Sequence, residues 1–121
     1  MPVADSILDK TKKILGIEAE YDAFDTDIIT HINTVFSTLS QLGVGPTDGF
    51  MIEDNTTLWT DFLEGKLELN QVRSYMYLRV RILFDPPATS FALDAMKQQI
   101  LEFEWRLSIY APKAVYVTPT I

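Results

Sequence analysis

Residues that carry most protein chemistry are scarce in this chain. His31 is the only histidine, and there is no cysteine. A triad needs a nucleophile beside a base, and a structural zinc site needs several Cys or His ligands. Neither can be assembled from one imidazole, so His31 reads as a polar-face or boundary residue. No serine stands in a recognisable nucleophile setting. Acids are plentiful, but their spacing favours other roles. Asp22, Asp25 and Asp27 gather at the start of a predicted helix, where the helix dipole favours negative charge. That placement fits capping and solvation better than general acid–base work. Glu102 and Glu104 are two residues apart and diverge on a helix. The run Gly43-Val44-Gly45-Pro46-Thr47-Asp48-Gly49 has glycines but no Gly-Lys-Ser/Thr, which excludes a P-loop. Asp48 to Asp54 lacks the alternating oxygen ligands and terminal Glu of a calcium loop. These patterns predict no enzyme, no cofactor and no metal.

The charge balance narrows the partners. The 121 residues carry a net charge of −7. Residues 1–45 and 46–66 hold −4 each, 67–108 are balanced, and the tail adds Lys113. An acidic surface repels nucleic-acid phosphate. Arg73, Arg79 and Arg81 spread around one predicted helix and form no single patch, so they make a weak nucleic-acid footprint. They suit polar breaks between buried stripes or interface salt bridges, where Arg is favoured over Lys. With no run of 18 apolar residues, a membrane span is not expected. Asp5 and Asp9 stand where a signal peptide would need basic and then apolar residues, so a soluble intracellular origin is expected. The absence of cysteine also removes the usual sign of a secreted, disulfide-stapled domain.

The elements that would position these residues are helical. The dominant stretch is Leu67–Ser108, two helices joined at Asp85-Pro86-Pro87, whose prolines disfavour a helical residue before them. The first arm carries two apolar stripes, Leu69/Val72/Met76/Val80/Leu83 and Tyr75/Leu78/Ile82, so it is expected to be covered on two sides. Tyr75 and Tyr77 point about 200° apart on it and cannot form one aromatic cage. The second arm, capped by Thr89 or Ser90, has a core stripe of Leu93, Met96, Ile100, Phe103 and Leu107. It also carries an acid-first Glu102–Arg106 pair. Phe91, Leu101, Trp105 and Ile109 lie within about 80° on its other side. Such residues on a second face mark a contact surface.

Upstream, Asp5 to Leu15 predicts a helix with Ser6 and Asp9 at capping-box spacing and Gly16 after its last turn. Its modest apolar face is Ala4, Ile7, Leu8, Ile14 and Leu15, with an Asp9–Lys13 pair. A second helix, capped by Asp22 or Asp25, runs to about Leu42 on Ile28, Ile32, Val35, Leu39 and Leu42, widened by Ile29 and Phe36. Gly43, Gly45 and Pro46 stop it. A loop with a short extended piece at Phe50-Met51-Ile52 follows. Thr56–Leu63 predicts a short helix capped by Asn55, Thr56 or Thr57 and ended by Gly65. Its Trp59 is expected to pack onto the long hairpin. The prediction is an all-α bundle of four to five helices over residues 1–108. Residues 109–121 hold two prolines and β-favouring Val115, Val117 and Thr118 around Tyr116. They read as an extended arm that orders on a neighbour, or as a frayed tail.

Several runs resemble the phage head–tail connector family of small helical adaptor proteins over about residues 5–108. They are Ile14-Leu15-Gly16-Ile17, Phe24–Leu42 with His31-Ile32-Asn33, and Leu42-Gly43-Val44-Gly45-Pro46. The most specific is Tyr77–Pro87 ending in Phe84-Asp85-Pro86-Pro87, followed by Leu101-Glu102-Phe103-Glu104-Trp105-Arg106-Leu107. The resemblance implies a virion structural protein at the head–tail junction, made in the host cytoplasm. Such proteins form a ring of about a dozen copies, dock on the portal protein and receive a stopper or tail-completion protein. DNA passes through the channel without specific binding. A monomer before assembly is compatible with this, and no cofactor is implied. Phe91, Leu101, Trp105, Ile109 and Tyr116 are then the candidate interface. The alternative is a non-viral acidic helical interaction module.

Overall fold

Ser6 sets the start of the first helix. Its hydroxyl accepts the Asp9 N–H at 3.1 Å, satisfying one donor that a helix N-terminus leaves open. Helix α1 runs Ile7–Ile14, and Gly16 follows in the left-handed region at φ 83°. The computed structural model describes residues 4–46, 48–64 and 71–110. The other helices among them are α2 (Asp25–Gln41), α3 (Trp59–Leu63), α4 (Gln71–Phe84) and α5 (Ser90–Tyr110). This is the all-α architecture that the hydrophobic periods predict, built on the α4–α5 hairpin. Ile109 belongs to α5, whereas residues 111–121, with Tyr116 and the expected arm, lie outside the described residues.

Helix α4 is the spine, packing against α1, α2 and α5. Val72, Tyr75, Met76 and Val80 are buried on it, as its stripes require. They share a core with Ile28, Ile32, Val35, Phe36 and Leu39 of α2, Ile7 and Leu8 of α1, and Ile100 and Leu107 of α5. Each such aliphatic side chain contributes about 1.5–3 kcal/mol when fully buried. Trp59 has no exposed surface and packs against Phe36, Phe62 and Tyr77 at 6.1–6.3 Å between ring centroids. It is a core residue, as expected.

The loops are tied down by specific polar contacts. The backbone pairs Ser6 with Leu58 in an isolated antiparallel bridge, with Ile7 N–H donating to the Thr57 carbonyl and Trp59 N–H to the Asp5 carbonyl. The Phe50-Met51-Ile52 piece forms no strand. Asn33 of α2 takes the place of a neighbouring strand: its Nδ2 donates to the Ile52 carbonyl at 3.0 Å and its Oδ1 accepts the Ile52 N–H at 2.8 Å. Gly45 has φ 97°, and a Cβ there would meet Phe62 Cε1 at 2.7 Å, so no larger residue fits without moving that ring.

Four expectations need correction. Helix α2 begins after Phe24 with no side-chain cap, because Asp25 is drawn to Lys12 instead. Helix α3 starts at Trp59, three residues later than predicted, because the chain at 57–58 is held extended by the bridge to residues 6–7. Its first turn is secured by the Asp61 carboxylate, which accepts the Leu58 N–H at 2.8 Å. Its C-terminal left-handed position is taken by Glu64 at φ 50°, while Gly65 lies outside the described residues. Finally, Ile14 and Leu83 are 52 % and 42 % exposed, although both fall on predicted apolar stripes. Each stands in the last turn of its helix. Ile14 lies at the rim of a shallow groove shared with Lys10, Lys13, Arg73 and Tyr77.

Candidate functional site

The core stripe of α5 fixes which way its other face points. Ile100 and Leu107 are buried, and Met96 and Phe103 are half-buried against the core. Helix α5 packs chiefly on α4, and among the described residues its other side carries exposed large apolar side chains. Phe91, Leu101, Trp105 and Ile109 stand there at 86 %, 58 %, 66 % and 43 % exposure. Leu101, Trp105 and Ile109 follow i, i+4, i+8 spacing, a continuous ridge of the kind that packs into the groove of another helix. Phe91 shares their azimuth but lies about 15 Å further toward the hairpin turn from Leu101. The four described candidate residues thus occupy one face.

A polar cluster locks α5 in that orientation. The Tyr75 hydroxyl donates to Glu104 Oε2 at 2.7 Å, and Arg79 Nη1 donates to the Tyr75 oxygen at 2.8 Å and approaches Glu104 Oε2 at 3.3 Å. The Arg79 guanidinium also lies over the Tyr75 ring, 5.7 Å from its centroid. Burial, and then the hydrogen bond to Glu104, pushes the Tyr75 pKa well above the usual 10.0. Burial raises Tyr77 as well. A raised folded-state pKa means the folded chain holds the proton more tightly. This stability is therefore complete below pH 10.0 and is lost as pH rises through the folded-state pKa. Tyr75→Phe is expected to cost about 1–1.5 kcal/mol in urea unfolding at pH 7 and to flatten the alkaline decline. An unchanged alkaline slope would contradict the assignment.

A second exposed apolar patch lies where α2 begins and α4 ends. Tyr21 and Phe24 are 53 % and 40 % exposed, and Phe84 beside them is half-buried. Tyr21 and Phe24 meet edge to face at 5.7 Å, as do Phe24 and Phe84 at 5.3 Å. The Leu101–Trp105–Ile109 ridge occupies the half of α5 remote from the hairpin turn. The two patches therefore stand at opposite ends of the hairpin.

Two charged residues in the framework have partners that the sequence did not lead us to expect. Lys12 is fully buried, with Nζ 2.7 Å from Asp25 Oδ1 and donating to the Ala19 carbonyl at 2.9 Å. Glu104 turns inward to Tyr75 and Arg79, whereas Glu102 stays exposed and pairs with Arg106. The three arginines of α4 act as polar breaks: Arg73 pairs with Asp5 and lies over Trp59, Arg79 pairs with Glu104, and Arg81 pairs with Asp85. Each α4 arginine thus has a carboxylate partner. His31 is half-buried on α2. No group of three or more metal-ligating side chains is found among the described residues, and no helix there is long and apolar enough to cross a membrane. The candidate site is the exposed apolar face of α5. No curated protein and no solved structure matches the chain. One family model, described as phage connector protein, matches residues 7–114.

Proposed function

We propose a ring-forming role at the head–tail junction for this chain, which belongs to the phage connector protein family. Family membership makes it a structural connector component of the virion. The finer reading places it in a ring of about a dozen copies between the portal and a stopper or tail-completion protein, with DNA passing through the middle.

The observation that carries this reading is the pair of exposed apolar patches at opposite ends of the α4–α5 hairpin. Ring closure is a head-to-tail contact and needs two different surfaces on each subunit. The Leu101–Trp105–Ile109 ridge supplies one, and the Tyr21–Phe24–Phe84 patch supplies the other. Trp and other aromatics are the residues that anchor such interfaces. The net charge of −7 suits a protein beside a DNA channel that must not grip its cargo. Residues 109–121 extend this interface to a neighbour or the portal through Tyr116.

Sedimentation of the chain with its cognate portal oligomer tests the role. Co-sedimentation as a discrete complex with many copies per portal is expected. Failure to bind the portal under assembly conditions would count decisively against a connector between portal and tail.

A further inference from the structure

The groove between α1 and α4 is lined by Lys10, Lys13, Ile14, Arg73, Ser74 and Tyr77 and encloses about 430 Å³. Its wall sets cationic and hydroxyl groups around an aliphatic centre and holds no carboxylate. Arg73 is paired with Asp5, so the available charge belongs to the exposed Lys10 and Lys13. Asp9, Glu18 and Glu20 line the neighbouring groove on the other side of these lysines. Ile14 is 52 % exposed and stands one helical turn from Lys10, with about 6 Å between their Cβ atoms. The loop over α2 carries the opposite pattern. Met51 is 65 % exposed, Ile52 is buried, and Glu53 and Asp54 are exposed. At strand spacing Met51 and Glu53 project to one side about 7 Å apart. Asn33 holds both backbone groups of Ile52, and Phe50 packs on Phe36 and Phe62 at 4.9 and 5.1 Å between ring centroids. This knob is therefore preorganised and loses little entropy on docking. We propose that the Met51–Glu53–Asp54 knob of one copy docks in the Lys10–Ile14–Lys13 groove of a second copy, with Met51 on Ile14 and the carboxylates on the two ammonium groups. Apolar centre, charge sign and spacing all match. Groove and knob are different surfaces, so the contact is head-to-tail, as ring closure requires. Ser74 also lines the adjoining groove with Glu102 and Arg106, which continues this surface toward the α5 ridge. The knob sits against Asn33 and Ser37 of α2, the helix that starts beside the Tyr21–Phe24 patch. Only the place of this contact in a ring rests on the ring reading; the pairing of two copies does not.

Two charge-reversed chains test the pairing: one carries Lys10→Glu and Lys13→Glu, the other Glu53→Lys and Asp54→Lys. Each alone sets like charges against each other at the contact, whereas an equimolar mixture restores opposite charges at every contact between the two. Sedimentation at low salt and about 1 mM protein, where even a weak contact is populated, reads the outcome. The wild type is expected to self-associate, each variant alone to do so at least about tenfold more weakly, and the mixture to return to within about twofold of wild type. A monomeric wild type, a variant that associates as the wild type does, or a mixture no better than its components would overturn the proposal. Should circular dichroism show that a variant loses helicity, carbodiimide cross-linking of mixed ¹⁴N and ¹⁵N wild-type chains decides. Isotopically mixed links from Lys10 or Lys13 to Glu53 or Asp54 support the contact, and their absence overturns it. No portal enters these measurements, so their failure leaves portal co-sedimentation standing, and failure to bind the portal leaves the paired copies standing.

Discussion

Trp105→Glu is expected to abolish ring assembly at protein concentrations that assemble the wild type, while the monomer keeps its stability. The side chain is 66 % exposed and is not part of the core, so its replacement is expected to shift urea unfolding by no more than about 0.5 kcal/mol. In the proposed interface the same residue would sit at the middle of the Leu101–Trp105–Ile109 ridge. A central tryptophan is the typical hot spot, and replacing it by a carboxylate both removes the anchor and buries an unpaired charge. A loss of about 3 kcal/mol, or a little over a hundredfold in affinity, follows. Native mass spectrometry of the variant and the wild type measures this directly. Normal assembly would remove α5 from the subunit contact, and an unfolded monomer would show that Trp105 is an internal residue.

The largest effect on folding is expected from Lys12→Ala, about 3 kcal/mol in chemical denaturation. Lys12 joins three segments through one ammonium group: α1, the Ala19 carbonyl of the following loop, and Asp25 in the first turn of α2. Truncation leaves that carbonyl without its donor, leaves the partly buried Asp25 carboxylate without its counter-charge, and opens space where a long aliphatic stem was packed. Because the lysine side chain is 1 % exposed and Asp25 is 30 % exposed, water can rehydrate only one side of the broken pair. Lys12→Met separates the contributions. It keeps the stem and loses the charge, and about half the destabilisation is expected. A Lys12→Ala variant as stable as wild type would mean that the buried pair contributes nothing net.

Much of the fold was legible because the apolar periods are strong. Ile28, Ile32, Val35 and Leu39 specify α2, and Val72, Met76 and Val80 specify one buried side of α4. Asp85-Pro86-Pro87 marks the hairpin turn, after which Thr89 Oγ1 accepts the Ala92 N–H to open α5. The misplaced features were decided by tertiary contacts. Asp25 would cap α2 in isolation, but the buried Lys12 ammonium competes for it. The residues before Trp59 would continue a helix, but Ser6 and Ile7 hold them extended. Lys12 and Glu104 share one reason for being overlooked. Lys12 is four residues after Leu8, and Glu104 is four after Ile100 and three before Leu107. Each is a charged side chain at a core register. That register was the available signal, and a charge inside an apolar stripe points to a buried partner. The exposed face of α5 was legible from its azimuth alone. The opposing Tyr21–Phe24–Phe84 patch was not, because it joins residues from α4 and from the segment leading into α2 that only the fold brings together.

The central claim is that copies of this chain close into a ring through the outer face of α5. Electron microscopy of the chain assembled on its cognate portal tests it most directly. The account predicts an annulus coaxial with the portal, with Trp105 of each copy buried against the Tyr21–Phe24–Phe84 patch of the next. Single copies attached off the portal axis, or a ring in which the Trp105 face is open to solvent in every copy, would contradict it.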